Sequence, residues 1–120
     1  MRHRGIVPLS LSTRRVGDVT IVSCHGRRIE GAESSALLGC MDLELESRPL
    51  LLLQLGEVEY IDSSGLGLLV RLLMRVRNAG GDMKVCGVSP GVNAALKTTR
   101  LDRVLDSHAS EAEAIVAFDR

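Results

Sequence analysis

The stretch EYIDSSGLG, residues 59–67, sets two adjacent hydroxyls, Ser63 and Ser64, directly after the carboxylate of Asp62 and just before Gly65 and Gly67. Two kinds of chemistry fit that pattern. The first is structural. Asp and Ser oxygens accept hydrogen bonds from the unpaired amides that open a helix, and glycine lets a first turn pack closely. The second is covalent. A hydroxyl at a helix N-terminus is a phosphoryl acceptor, and the free amides and helix dipole tolerate the anion it becomes. A phosphate adds about −1.5 to −2 charge at neutral pH. Beside Glu57, Glu59 and Asp62 it is expected to make this corner sharply negative and to repel a docked partner.

Other reactive residue types form no comparable pattern. His3, His25 and His108 are dispersed, and none shares a motif with a cysteine or a carboxylate pair. No histidine lies near Ser63 in sequence to activate it. No Gly-Lys-Ser/Thr follows the glycines, so a phosphate-binding P-loop is not expected. Cys24, Cys40 and Cys86 are an odd number without short spacing. They are expected to be reduced core thiols rather than metal ligands or a redox pair. No metal, cofactor or catalytic residue is expected.

The elements that would position the motif follow from periodicity. Leu9–Val16 and Val19–His25 are expected to be two strands joined by a tight Gly17-Asp18 turn, an antiparallel hairpin. Residues 31–48 carry Leu37, Leu38, Met41 and Leu45 on one helical face, and Pro49 ends that helix. The apolar run Leu50–Leu55 is expected to be a strand buried on both faces. The motif opens a helix that runs to about Asn78. There Gly80 and Gly81 are expected to supply a left-handed cap. A strand in MKVCGV follows. Ser89 and Pro90 are expected to start the next helix. A short strand near Arg103–Leu105 and a helix opened by a Ser110/Glu113 capping box complete the order β-β-α-β-α-β-α-β-α. This is one α/β domain over residues 1–120, built on a small mixed sheet with right-handed crossovers.

The helix after the motif has two apolar sets. Leu66, Leu69, Val70 and Leu73 form the expected core stripe. Leu68, Leu72 and Val76 form a second, flanked by Arg71 and Arg75. Either neighbouring helices bury the second set, or it is a contact surface for another protein.

Composition narrows the class. The chain has 120 residues, 45% apolar and 2% aromatic, so an aliphatic core is required. Lys plus Arg and Asp plus Glu are 15 each. A nucleic-acid binder would need a cationic surplus, so nucleic acid is not an expected partner. The stretch MRHRGIVPLSLS is basic without an apolar run, and the leucine run is too short to span a bilayer. A cytoplasmic protein with no membrane insertion is expected, as a monomer or weak homodimer.

VEYIDSSGLGLLV resembles the signature of STAS domains, in particular bacterial anti-sigma factor antagonists. VTIVSCHGRRI resembles the family's second strand and its glycine. RNAGGDMKVCGVSPGVNAALKTTRLDRVL resembles its later helix, strand and helix. The resemblance covers nearly the whole chain. It implies the STAS fold, a small mixed sheet with helices mainly on one side. It also implies partner switching. The unphosphorylated protein binds an anti-sigma factor, a serine kinase of the histidine-kinase-like ATPase type, and frees a sigma factor. Phosphorylation by that kinase breaks the complex, and a serine phosphatase resets it. The matching phosphorylated residue is Ser63, with Asp62 as the carboxylate that positions it, Ser64 as the neighbouring hydroxyl and Gly65 as the close-packed turn. The partner surface is expected to comprise Glu30, Glu59, Ser63, Ser64, Leu66, Leu68, Arg71, Leu72 and Arg75.

Two positions depart from many relatives. In GRRIEG, Glu30 stands one residue beyond the usual acid at the end of the second strand. Gln54 stands where many relatives carry Asp. An alternative is a non-switching STAS subunit of a stress-signalling or lipid-transport assembly. An enzyme or a nucleotide binder is the least supported reading.

Overall fold

The computed structural model describes residues 9–31 and 48–119. Residues 32–47 of the helix expected over 31–48, Cys40 among them, lie outside the described residues. Strands β1 (Ser10–Val16) and β2 (Val19–His25) form the expected hairpin, paired without interruption from Val16↔Val19 to Ser10↔His25. Its turn is tight because Gly17 takes φ +60, which costs a residue without Cβ little.

Strands β4 (Leu50–Gln54), β6 (Asp82–Cys86) and β7 (Asp106–His108) extend the sheet in parallel, in the order β1-β2-β4-β6-β7. Two short strands, β3 (Arg28–Ile29) and β5 (Tyr60–Ile61), make a separate parallel pair. Three helices are described: α1 (Ser63–Asn78), α2 (Pro90–Thr98) and α3 (Glu111–Phe118).

Alternation along the buried strands assigns each helix to a face. Val22, Cys24, Leu51, Leu53, Met83 and Val85 point into the larger core, where α1 contributes Leu69, Leu72 and Leu73, and α2 contributes Val92 and Leu96. Ile21, Leu52 and Cys86 point the other way, onto Ala114, Ile115 and Phe118 of α3. Two described helices thus share one face and the third covers the other. Leu51, Leu52 and Leu53 are at most 2% exposed, as a strand covered on both faces requires.

Three expectations are corrected. The strand placed near Arg103–Leu105 lies instead at Asp106–His108. Arg100 leaves α2 in the left-handed region (φ 63), and a 3-10 turn over Leu101–Arg103 uses the intervening residues. Gly81 is not a left-handed cap. Gly80 takes that role with φ +85, whereas a Cβ on Gly81 would stand 1.7 Å from the Pro49 carbonyl oxygen. Glycine is needed there because two chain segments touch at the base of β4 and β6. Finally, Val70 is only half-buried, whereas Leu68, Leu72 and Val76 are at most 3% exposed. The two sets on α1 form one arc of roughly 160° at 100° per residue, and all of it faces the core.

One charge is buried beside α3. The Lys84 side chain, 7% exposed, donates to Asp106 Oδ2 at 2.8 Å and lies 3.7 Å from Asp82 Oδ2. Its ammonium stands 5.2 Å from the Phe118 ring centroid, so the charge is paired and half-covered rather than isolated.

Candidate functional site

The site is built where β4 ends and the chain crosses to α1. Gln54 Oε1 accepts the Gly56 amide, and the Val58 amide bonds the Leu55 carbonyl at 3.0 Å, which turns the chain back. β5 then lies against β3. The Glu59 and Tyr60 amides reach the Arg27 carbonyl at 2.7 and 3.1 Å, and the Asp62 amide reaches the Ile29 carbonyl at 3.2 Å. The start of α1 is therefore fixed on the segment that leaves β2.

Asp62 is the N-cap. Its Oδ1 accepts the Gly65 amide at 2.9 Å, and its Oδ2 accepts the Gly31 amide at 3.2 Å. One carboxylate thus caps the helix and ties down the β3 exit, which brings Glu30 beside the motif. Gly65 is required by contact. A Cβ there would lie 2.7 Å from both the Ile29 carbonyl oxygen and Ile61 Cγ1. Gly67 has no such role, because a Cβ on it would meet nothing within 4 Å. The expectation that both glycines allow close packing holds for Gly65 alone.

Capping by Asp62 leaves Ser63 and Ser64 as the first two helical residues. Both are exposed. No described residue hydrogen-bonds the Ser63 hydroxyl, and the amides of Ser63 and Ser64 meet no acceptor among the described residues. Among the described residues, a hydroxyl free of structural duty thus sits next to two N–H groups without an acceptor. Asp62, the residue expected to position that hydroxyl, holds the Gly65 amide on one oxygen and the Gly31 amide on the other.

The surrounding charge is more balanced than the sequence suggests. Glu59 and Glu30 are exposed, but Arg27 stands 3.7 Å from Glu59 Oε2, and Arg28 stands 3.7 Å from Glu30 Oε2. The Arg28 guanidinium also lies over the Tyr60 ring, 5.5 Å from its centroid. Glu57 is bonded to His25 Nδ1 at 3.0 Å. The acids therefore interleave with cations, and a new dianion at Ser63 would be the unbalanced charge.

Of the expected partner surface, Arg71 and Arg75 are exposed on α1. Leu66, Leu68 and Leu72 are not available to a partner, since they are 8%, 3% and 1% exposed within the core. The residues that do share the exposed face with Ser63 are Gly67, Val70 and Met74, with Met74 58% exposed. They follow Ser63 at i+4, i+7 and i+11, one line along a helix. That phase was available in the sequence, but taking Val70 as a core residue hid it.

The STAS domain family pattern matches residues 10–114 of the chain. An anti-sigma F factor antagonist of Paenibacillus polymyxa is 29% identical over 69 residues, 58% of this chain and 59% of that protein. The chain thus spans about three fifths of the length of the curated relatives it matches. An anti-sigma-factor antagonist (STAS) domain protein of Planctomyces limnophilus superposes with a TM-score of 0.79 at 25% identity, over 90% of this chain and 96% of the other. An anti-sigma factor antagonist of Mycobacterium paratuberculosis gives a TM-score of 0.80 at 21% identity, covering 93% and 95%. With its mixed sheet, its helix-opening IDSSG turn and a family match over nearly all its length, this chain belongs to the STAS domain family.

Proposed function

We propose that this chain is an anti-sigma factor antagonist that works as a phosphorylation-controlled binding module. In its unphosphorylated form it binds an anti-sigma factor that is also a serine kinase, and thereby releases a sigma factor. Phosphoryl transfer to Ser63 ends that binding, and a serine phosphatase restores it. The observation that carries this reading is the exposed Ser63 hydroxyl, without a hydrogen-bond partner among the described residues, at the start of a helix whose capping is done by Asp62. The names of the Paenibacillus and Planctomyces relatives support the same class.

The electrostatics explain why such a modification would release a partner rather than unfold the domain. The free Ser63 and Ser64 amides and the helix dipole favour an anion at this end. The Asp62 carboxylate is adjacent, so the added charge is directed outward, toward whatever lies against Ser63, Gly67 and Val70. A partner that fits the small, uncharged hydroxyl meets a dianion instead.

The test is to incubate the purified chain with its cognate kinase and ATP, map the phosphate by fragmentation, and titrate the partner against wild type, Ser63→Ala and Ser63→Asp. A phosphate at Ser63 and weakened binding only for Ser63→Asp are expected. Undiminished affinity of the stoichiometrically phosphorylated protein would sink the switch and leave a constitutive interaction subunit.

A further inference from the structure

A second hydroxyl lies on the opposite face of the sheet in a different chemical setting. Ser12 on β1 is in register with Ser23 of β2, two residues beyond Ile21, so both belong to the α3 face. There Ser12 Oγ lies 2.8 Å from His25 Nε2, and His25 Nδ1 lies 3.0 Å from Glu57 Oε2. An ionised carboxylate only accepts, so the Glu57 contact places the imidazole proton on Nδ1. Nε2 is then the acceptor, and the Ser12 O–H donates to it. Three residues from β1, β2 and the β4–β5 loop thus form a hydroxyl–imidazole–carboxylate line whose order and roles are those of an activated serine nucleophile.

The backbone adds an electrophile-binding group. In a two-residue hairpin the closing pair, here Val16↔Val19, exchanges both hydrogen bonds, and such pairs alternate along the strands. Ser12↔Ser23 is then a bonded pair, and Thr13↔Val22 is not. The Thr13 amide therefore points away from β2. β1 is the edge of the sheet, and among the described residues nothing accepts that proton. Among the described residues, the amide directly after the nucleophile thus has no acceptor and can hold a developing oxyanion.

We propose that Ser12, His25 and Glu57 form a reactive serine site that accepts acyl groups from small activated esters, independently of any switching at Ser63. Ser12 Oγ adds to the ester carbonyl carbon while its proton passes to His25 Nε2, and the Thr13 amide binds the carbonyl oxygen. The bond to the leaving alcohol breaks, and the alcohol takes the proton from Nε2. An acyl ester on Ser12 remains, and water, deprotonated by the same imidazole, hydrolyses it to the carboxylic acid and restores the serine. The small-ester class follows from the surroundings. Ser12, His25 and Glu57 lie on an exposed surface beside the polar side chains of Ser23 and Gln54, an open setting that suits a small ester.

The experiment uses the whole chain with p-nitrophenyl acetate and, separately, a fluorophosphonate probe, which loses fluoride as its phosphorus bonds to Oγ. Adducts are mapped by fragmentation. One adduct at Ser12 is expected, absent in Ser12→Ala and formed at least tenfold more slowly in His25→Gln and Glu57→Gln. All three side chains are exposed, so each variant should melt with wild type, which separates lost chemistry from lost fold. Absence of a Ser12 adduct, equal labelling in His25→Gln, or labelling spread over other exposed serines such as Ser63 would each overturn the proposal.

Discussion

The Asp62 Oδ2 atom accepts the Gly31 amide at 3.2 Å, while the other oxygen of the same carboxylate caps α1. Asp62→Ala removes both bonds at once. An N-cap alone is worth about 1 kcal/mol, and the second amide raises the expected loss to about 2 kcal/mol. Asp62→Asn keeps one acceptor oxygen and should retain roughly half of that. Urea melts of the three proteins check this. Equal stability of Asp62→Ala and wild type would show that the tie to Gly31 carries no weight.

Gly65 and Gly67 should respond oppositely to the same substitution. Gly65→Ala drives a methyl against the Ile29 backbone and should cost about 1–3 kcal/mol. Gly67→Ala enters open space in mid-helix and should gain up to about 1 kcal/mol from helix propensity. Thermal melts of the pair would distinguish this from a general requirement for glycine in the motif.

The exposed line of Ser63, Gly67, Val70 and Met74 beside Arg71 predicts where a partner is sensed. Met74→Asp and Arg71→Glu should each weaken binding of the proposed anti-sigma factor partner by about tenfold, about 1.4 kcal/mol, with unchanged melting temperature. Leu68→Ala should instead unfold the domain more readily, by about 2–5 kcal/mol, because Leu68 lies in the core. Calorimetric titration alongside melting separates the two kinds of residue.

The Lys84 hydrogen bond holds the Asp106 carboxyl below its ordinary 3.8. A group with a depressed folded pKa adds stability that is complete above the unfolded value and is lost as pH falls through the folded one. Acid below about pH 4 should therefore erode the wild type more than Lys84→Met, which has no ion pair to lose and keeps an aliphatic stem near Phe118. Asp106→Asn at neutral pH should cost only about 1 kcal/mol, since that carboxylate is largely exposed and Asp82 remains nearby. Denaturation series across the acid range for the three proteins give the comparison.

Burial pushes the Cys24 thiol up to about 12. Burial, and then Glu111, push the Cys86 thiol up to about 11, against a smaller opposing effect of Arg14. Thiolate is the reactive form, so neither residue should react with a disulfide reagent while the domain is folded. Peptide mapping after brief alkylation should find both unmodified in buffer and both modified in denaturant.

Much of this geometry was legible because local signals agreed. The hairpin turn, the unbroken leucines of β4, the start of α1 at IDSSG, the Ser89-Pro90 start of α2 and the Ser110/Glu113 cap each have a side-chain cause that acts within a few residues. The failures share a cause too. The β3–β5 pair has two residues a side, too few for alternation to register. β7 was misplaced because its position depends on Arg100 adopting a left-handed backbone, which no neighbouring residue announces. The breadth of the α1 core face depends on what packs against it, and a sequence read one helix at a time divides one wide arc into two. The Arg27 and Arg28 contacts that balance the acidic corner, and the meeting of Ser12, His25 and Glu57, arise only when distant segments converge.

Within the five-stranded sheet, one strand pair is joined by a two-residue turn, and the remaining pairs are parallel partners separated by long crossovers. During refolding the β1–β2 hairpin can close in about 1–10 μs, but Val19, Ile21, Val22 and Cys24 then have nothing to lie on. Their apolar groups stay wet until Leu50–Gln54 arrives across a much longer loop, whose closure entropy is unrewarded until β4 docks. The seam between β2 and β4 therefore closes later than the hairpin, and until it does a second unfolded chain could insert its own leucine run there.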